Sequence, residues 1–286
     1  MGALHPLLER LSVLSKERHI PLGQAVEWTA AIVDDLWCFS PELISLYGTP
    51  AYEGLSEVGR KRLSFFEAIN FFSLNIHGEK ALIEGIARRL HRGTENAVSS
   101  YLHHFLDEEN KHIFLFASFC RHHAGKIYHE RTFAIPRSYA PGEEDFLFFA
   151  KALLFEEVVN VYNLRMARDP RLAPLLRAIN LYHHRDEARH LAFGRTIVVD
   201  LFARFAPQWP RDTLAAVRRY LADYLESLRG EYFNTDVYRD AAILDAPKMR
   251  EIALLDTGRQ RLWRDITANC RALLRDNKLA IEEEGA

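Results

Sequence analysis

The stretch YHHRDEARHLAF, residues 182–193, sets three histidines, an aspartate, a glutamate and two arginines among tyrosine, leucine, alanine and phenylalanine. On a helix, positions i, i+4 and i+7 share one side. His183, Glu187 and His190 therefore form one stripe, while His184 turns about 100° away from it. A buried stripe of ionisable groups is costly unless something satisfies it. Partners must come from elsewhere in the chain. One copy of the pattern lies upstream, in DEENKH (107–112), where Glu109 and His112 repeat the Glu-x-x-His spacing.

Working outward, apolar residues recur at spacings of three and four almost everywhere, and no run alternates with period two, so the chain reads as all-α. Helices are expected at about 21–36, starting on Pro21, at 57–92 with a stop at Gly93, and at 94–124 with Thr94 as N-cap. More are expected at 143–168, 174–205, 211–230 and 248–276. Residues 125–142, with two prolines and two glycines, read as a long connection. Two tight helix pairs joined by one long crossover is the topology of a ferritin-like four-helix bundle. The expectation is a single domain over 1–286, with the bundle at about 57–205, helical additions at both ends and a C-terminal extension at about 210–276.

A bundle that holds two metals draws Glu-x-x-His from two helices and a lone Glu from each of the others. Both lone carboxylates can be found. Glu79 lies on the apolar stripe of Phe72, Ile76, Ile83 and Ile86, and precedes Glu109 by 30 residues. In LLFEEVVNVY (153–162), Glu157 and Glu156 precede Glu187 by 30 and 31, and periodicity does not separate the two. Glu108 and Asp186 each stand one turn before the histidine of their own motif. There they are expected either to accept that imidazole's second N–H or to pair at the surface with Lys111 and Arg189. The other histidines, His77, His91, His103, His104, His122, His123, His129 and His184, are expected in surface, packing or supporting roles. Arg261, Arg264 and Arg271 are expected at the surface, with substrate-carboxylate binding as the competing role.

Composition removes several classes. With 37 basic and 39 acidic residues, no nucleic-acid or anionic-membrane partner is indicated. The longest apolar run, FLFFAKALLF (146–155), is too short to span a bilayer, and MGALHPLLER does not read as a secretory leader. The three cysteines are isolated and odd in number, which fits a reducing cytoplasm and excludes a thiolate metal site.

Taken together, HHFLDEENKHI (103–113), EEVVN (156–160) and YHHRDEARHLAF resemble the AurF-type non-haem di-iron N-oxygenases over roughly residues 60–240. The mark of the resemblance is the additional histidine, His183. It implies a ligand set of Glu79, Glu109, His112, Glu156, His183, Glu187 and His190, with Glu156 preferred to Glu157 by the family spacing. One iron would take Glu79 and His112, the other Glu156, His183 and His190, and Glu109 and Glu187 would bridge them. It further implies two iron ions, dioxygen as co-substrate and an external electron donor, either a reductase or a small reductant. The substrate would be a small amine, free or tethered to a carrier protein, oxidised to hydroxylamine, nitroso or nitro product, and a homodimer is compatible with it. Two other readings compete: an iron or manganese hydroxylase or oxidase acting at carbon, and a ferritin-like iron-handling protein. The latter is disfavoured by the roughly eighty residues beyond the bundle, more than a cage subunit needs.

Overall fold

Leu4, Leu8, Leu11 and Ser15, spaced by three and four, bury one side of the first helix, α1 (Leu4–Glu17), against the bundle. The sequence reading expected a helix over 21–36 instead. Residues 21–28 form turns and bends, and most of the remainder lies outside the described residues, which are 4–28, 32, 35–92, 96–130 and 138–280 of this computed structural model. A single turn, α2 (Pro50–Glu53), starts on Thr49, whose hydroxyl accepts from Tyr52 N at 3.3 Å.

The bundle follows. Ser56 caps α3 (Glu57–Ala87) by accepting from Gly59 N at 3.2 Å, so that one of the helix's unpaired first-turn donors is satisfied. This helix ends at Ala87, five residues short of the expected stop; Gly93 and Thr94 lie outside the described residues. Next, α4 (Asn96–Ala124) stops before Gly125, whose φ of 65° is the left-handed value that glycine adopts cheaply. Gly142, at φ 73°, launches α5 (Glu143–Arg168); a Cβ there would stand 2.3 Å from the Phe205 ring at the end of α6 (Pro174–Phe205). Helix α3 packs on α4 and α5 on α6, while α3–α5 and α4–α6 contacts close the four-helix bundle.

Aromatic residues fill the space between the helices. Phe72 of α3 stacks on Phe116 of α4 with ring centroids 4.9 Å apart, and both are fully buried. Each such side chain contributes about 1.5–3 kcal/mol by leaving water. Gly78 lets α3 approach α5, since a Cβ at that position would meet the Phe155 ring at 2.4 Å. This close approach falls beside Glu79 and Glu156. The N-terminal segment is tied to the α5–α6 connection by Ala173 N donating to Trp37 O at 2.9 Å, an isolated bridge rather than a strand.

After α7 (Arg211–Glu231) and α8 (Thr235–Asp240), the expected helix at 248–276 is three helices: α9 (Ala246–Leu255), α10 (Thr257–Ile266) and α11 (Ala268–Asp276). The first break is Asp256, extended at ψ 127°, whose carboxylate caps the next helix by accepting from Arg259 N at 2.8 Å. Helices α7, α10 and α11 all rest on α5, and Tyr232 after α7 stacks on Tyr162 of α5 at 4.6 Å. No helix among the described residues is long and apolar enough to cross a membrane.

Candidate metal centre

Seven side chains from four helices meet inside the bundle: Glu79 from α3, Glu109 and His112 from α4, Glu156 from α5, and His183, Glu187 and His190 from α6. None is more than 5% exposed. Their donor atoms fall into three overlapping groups, each within 4.8 Å: Glu79, His112 and His183; Glu109, His112 and Glu187; Glu109, Glu156 and His190. Glu109 and Glu187 occupy the middle. Glu109 lies 3.3 Å from His112 Nδ1 and 2.8 Å from His190 Nδ1; Glu187 Oε1 lies 3.9 and 3.4 Å from the same two atoms.

The division between the two ends differs from the one carried over by resemblance. His183 Nε2 stands 3.1 Å from Glu79 Oε1 and 2.8 Å from Glu187 Oε1, so the third imidazole joins the Glu79 end rather than the Glu156 end. The physical reason is the helix stripe itself. His183 and His190 are seven residues apart, about 10 Å along the axis, too far for both to serve one position. Glu157, also buried, turns away from this cluster to pair with Arg195, whose Nε donates at 2.6 Å.

The two acidic neighbours were expected either to serve the histidine of their own helix or to pair at the surface. The structure crosses them. Asp186 on α6 accepts from His112 Nε2 of α4 at 3.2 Å, and Glu108 on α4 accepts from His190 Nε2 of α6 at 2.8 Å. Arg189, expected as a surface partner, is 3% exposed and donates through Nη2 to both Glu108 Oε1 and Asp186 Oδ1 at 2.6 Å. Lys111 pairs with Asp107 instead. The crossing turns Nδ1 of both His112 and His190 toward the centre. Sequence reasoning missed two further residues. Phe105 covers His190, with ring centroids 3.9 Å apart, and Asn163 Nδ2 meets His183 Nδ1 at 2.7 Å. Asn163 was visible as a polar residue at i+7 from Glu156.

Electrostatics follow from burial and charge pairing. Burial pushes the Glu79 and Glu156 carboxyls well above the usual range, and the neighbouring Glu109 and Glu187 charges add to the effect. Burial also opposes ionisation of Glu109 and Glu187, but the facing imidazoles win and hold both below it. For His112 burial disfavours the cation, yet Asp186 and Glu109 lift it to about 9; Asp186 is pulled against burial to about 2 by His112 and Arg189. Facing imidazoles and carboxylates thus offset one another's burial at the middle of the cluster.

A cation fits these residues better. Both oxygens of Glu79, Glu109 Oε1, Glu156 Oε1, Glu187 Oε2, His183 Nε2 and His190 Nδ1 are all sealed from solvent, and none makes an aligned hydrogen bond. Buried polar atoms are rarely left so. Oxygen and imidazole donors without thiolate suit iron or manganese. The remaining histidines stay outside: His77 bonds to Tyr128 O at 2.7 Å, His184 to Asn160 Oδ1 at 2.6 Å, and Arg261, Arg264 and Arg271 lie at the surface.

Bundle and donor set together define an all-helical protein with a carboxylate–histidine site suited to a pair of metal ions. The chain belongs to the p-aminobenzoate N-oxygenase AurF family, whose model matches residues 4–278, and it is an enzyme of oxygenase type. Among solved structures it is similar to a variant of an R2-like ligand-binding oxidase with an aerobically reconstituted Mn/Fe cofactor (16% identity, 92% of this chain and 93% of that one, TM-score 0.42). A second variant of such an oxidase, with the Mn/Fe cofactor reconstituted anaerobically, matches at 15% identity over the same shares, with a TM-score of 0.39. No curated protein matches by sequence.

Proposed function

We propose that this protein is a di-iron N-oxygenase acting on a small amine. The observation that carries the metal reading is the convergence of carboxylate oxygens and imidazole nitrogens, without aligned hydrogen bonds, from four helices on one sealed volume. Glu79, Glu109, His112, Glu156, His183, Glu187 and His190 would hold the metals, with Glu109 and Glu187 shared. A pair of iron ions held there would supply the reduction of dioxygen, the overall change being R–NH2, O2, two electrons and two protons to R–NHOH and water. The two electrons come from outside, from a reductase or a small reductant. Amine rather than carbon as the site of attack rests on the family alone. The chain's own residues orient the ligands and exclude bulk water, since every ligand is buried. Three buried free cysteines suit a reducing cytoplasm.

The test is anaerobic loading with ferrous ion, metal analysis, then an oxygen pulse in the presence of candidate arylamines and amino acids. Two irons per chain and hydroxylamine, nitroso or nitro products are expected. Glu109→Ala and Glu187→Ala should each lose both irons. One iron or fewer per chain refutes the centre; products oxidised only at carbon refute N-oxygenation while leaving the centre intact.

A further inference from the structure

The three imidazoles differ in what holds the nitrogen that faces away from the centre. His112 and His190 lean on carboxylates, Asp186 and Glu108, and present Nδ1 inward. His183 is turned the other way. It presents Nε2, and its Nδ1 lies 2.7 Å from the side-chain amide of Asn163, in contact between two groups that are 1% and 0% exposed. The Phe116 and His112 rings stand edge-on to His183 at 4.9 and 4.4 Å. Those walls confine the imidazole plane but offer Nδ1 no polar anchor.

We propose that Asn163 is the positioning residue for His183, holding Nε2 toward Glu79 and Glu187 in both the metal-free and the metal-loaded protein. Donor and acceptor must match at Nδ1 in both states. As the structure stands, Asn163 Nδ2 donates to Nδ1, and Nε2 faces Glu79 Oε1 and Glu187 Oε1. Asn163 Oδ1 has no partner in the core. A half-turn of the amide exchanges its oxygen and nitrogen. It then accepts from an Nδ1–H, the tautomer an imidazole must adopt to offer a lone pair from Nε2. An amide carries both donor and acceptor and so suits either state, whereas a carboxylate can only accept. The neutral partner also distinguishes His183 from the two histidines anchored by charge.

This inference rests on the two-metal reading, and the experiment separates the two. Ferrous ion is titrated anaerobically into the full-length protein and into three variants. Outer partners of metal-bound histidines typically account for about 10–100-fold in affinity. Asn163→Leu, which keeps the branched heavy-atom outline but has no hydrogen bond, should weaken one of the two irons by that factor and leave the other near wild type. Asn163→Asp, which keeps an acceptor, should restore binding to within about threefold. Asn160→Leu removes the matching contact to His184 and should bind both irons as wild type does. Wild type that takes up no more than one iron refutes the centre itself. Two irons in wild type, with Asn163→Leu unchanged, refutes the role of Asn163 alone. Should the Leu variant not fold, Asn163→Asp decides: a tenfold or greater loss there overturns the proposal.

Discussion

Arg189→Met removes one cation from beneath two buried carboxylates. The guanidinium reaches Glu108 and Asp186 at 2.6 Å each, with the three side chains 3%, 7% and 9% exposed. Removing one partner of a buried ion pair costs about 3–5 kcal/mol, because the other charge is left uncompensated. Here two charges are left, but each keeps an imidazole, His190 or His112, so the single-partner figure is the better guide. At roughly 2–4 °C per kcal/mol for chains of about this size, the metal-free variant should melt about 6–20 °C lower. Iron affinity should fall as well, since the carboxylates that orient His112 and His190 lose their own anchor. Calorimetry of the metal-free protein, followed by anaerobic iron titration, reads both effects. Arg189→Lys, a point charge without the planar fork, should fall between. A Met variant that melts within 1 °C of wild type and binds iron equally would show that Arg189 does not neutralise this pair, and the crossed network as described would be wrong.

Three other outcomes are expected. Burial raises the Glu67 carboxyl to about 7, with Ser45 N donating at 3.1 Å only partly offsetting it. Because the folded value exceeds the ordinary 4.5, the folded state binds the proton more tightly, so stability should decline as pH rises from about 4.5 to 7 by about 3 kcal/mol. Glu67→Gln should lack that slope, and matching urea-denaturation profiles for the two proteins would refute the assignment. Gly78→Val sets a side chain against Phe155 where the first carbon alone would be 2.4 Å from the ring. It should cost about 1–3 kcal/mol by overpacking and lower iron occupancy, with partial rescue by Phe155→Leu. A fully occupied, stable Gly78→Val would show that the α3–α5 approach does not set the centre. Finally, His183→Ala should fold and retain iron on the four glutamates and two histidines while its oxygen reaction changes, whereas His184→Ala should react as wild type; the reverse pattern would mean the ligand stripe is misread.

Legibility in the sequence followed the range over which each signal acts. Polar stripes on apolar helices depend on periodicity within one helix, so the buried convergence of Glu79, Glu109, His112, His183, Glu187 and His190 could be anticipated from spacing, and so could the four bundle helices. Glu156 and Glu157 could not be separated that way, because α5 is packed on nearly every side: α3, α6, α7, α10 and α11 all contact it. The helix at Leu4–Glu17 carried its own signal, in Leu4, Leu8 and Leu11, but Pro21 drew the assignment downstream. Asp256 likewise had the capping residue type in plain view. The crossed partners had no such signal. Spacing ranks Glu108 with His112 and Asp186 with His190, one turn apart, and only the packing of α4 against α6 aims each carboxylate at the other helix.

That crossing has a simple origin in the repeat itself. Each helix pair ends in the same order of groups, an acid, a glutamate and a histidine: Glu108, Glu109, His112 and Asp186, Glu187, His190. When two like helices face each other with opposed partners, a contact from the first acid to the second histidine implies its counterpart from the second acid to the first. Both are present, at 2.8 and 3.2 Å. The repeat then shows where the two halves part. At the position before each motif histidine, Lys111 turns to Asp107 on its own helix, while Arg189 turns inward and joins the two acids. Four residues before each central glutamate stand Phe105 and His183. The phenyl ring covers His190 at the Glu156 end, and the imidazole faces Glu79 at the other. The cluster is thus symmetric in its two central carboxylates and asymmetric in its ends: one carries a third imidazole beside a neutral amide, the other an apolar wall. Two metals bound there would sit in chemically different surroundings, a consequence of a phenylalanine and a histidine at equivalent places in a repeated pattern.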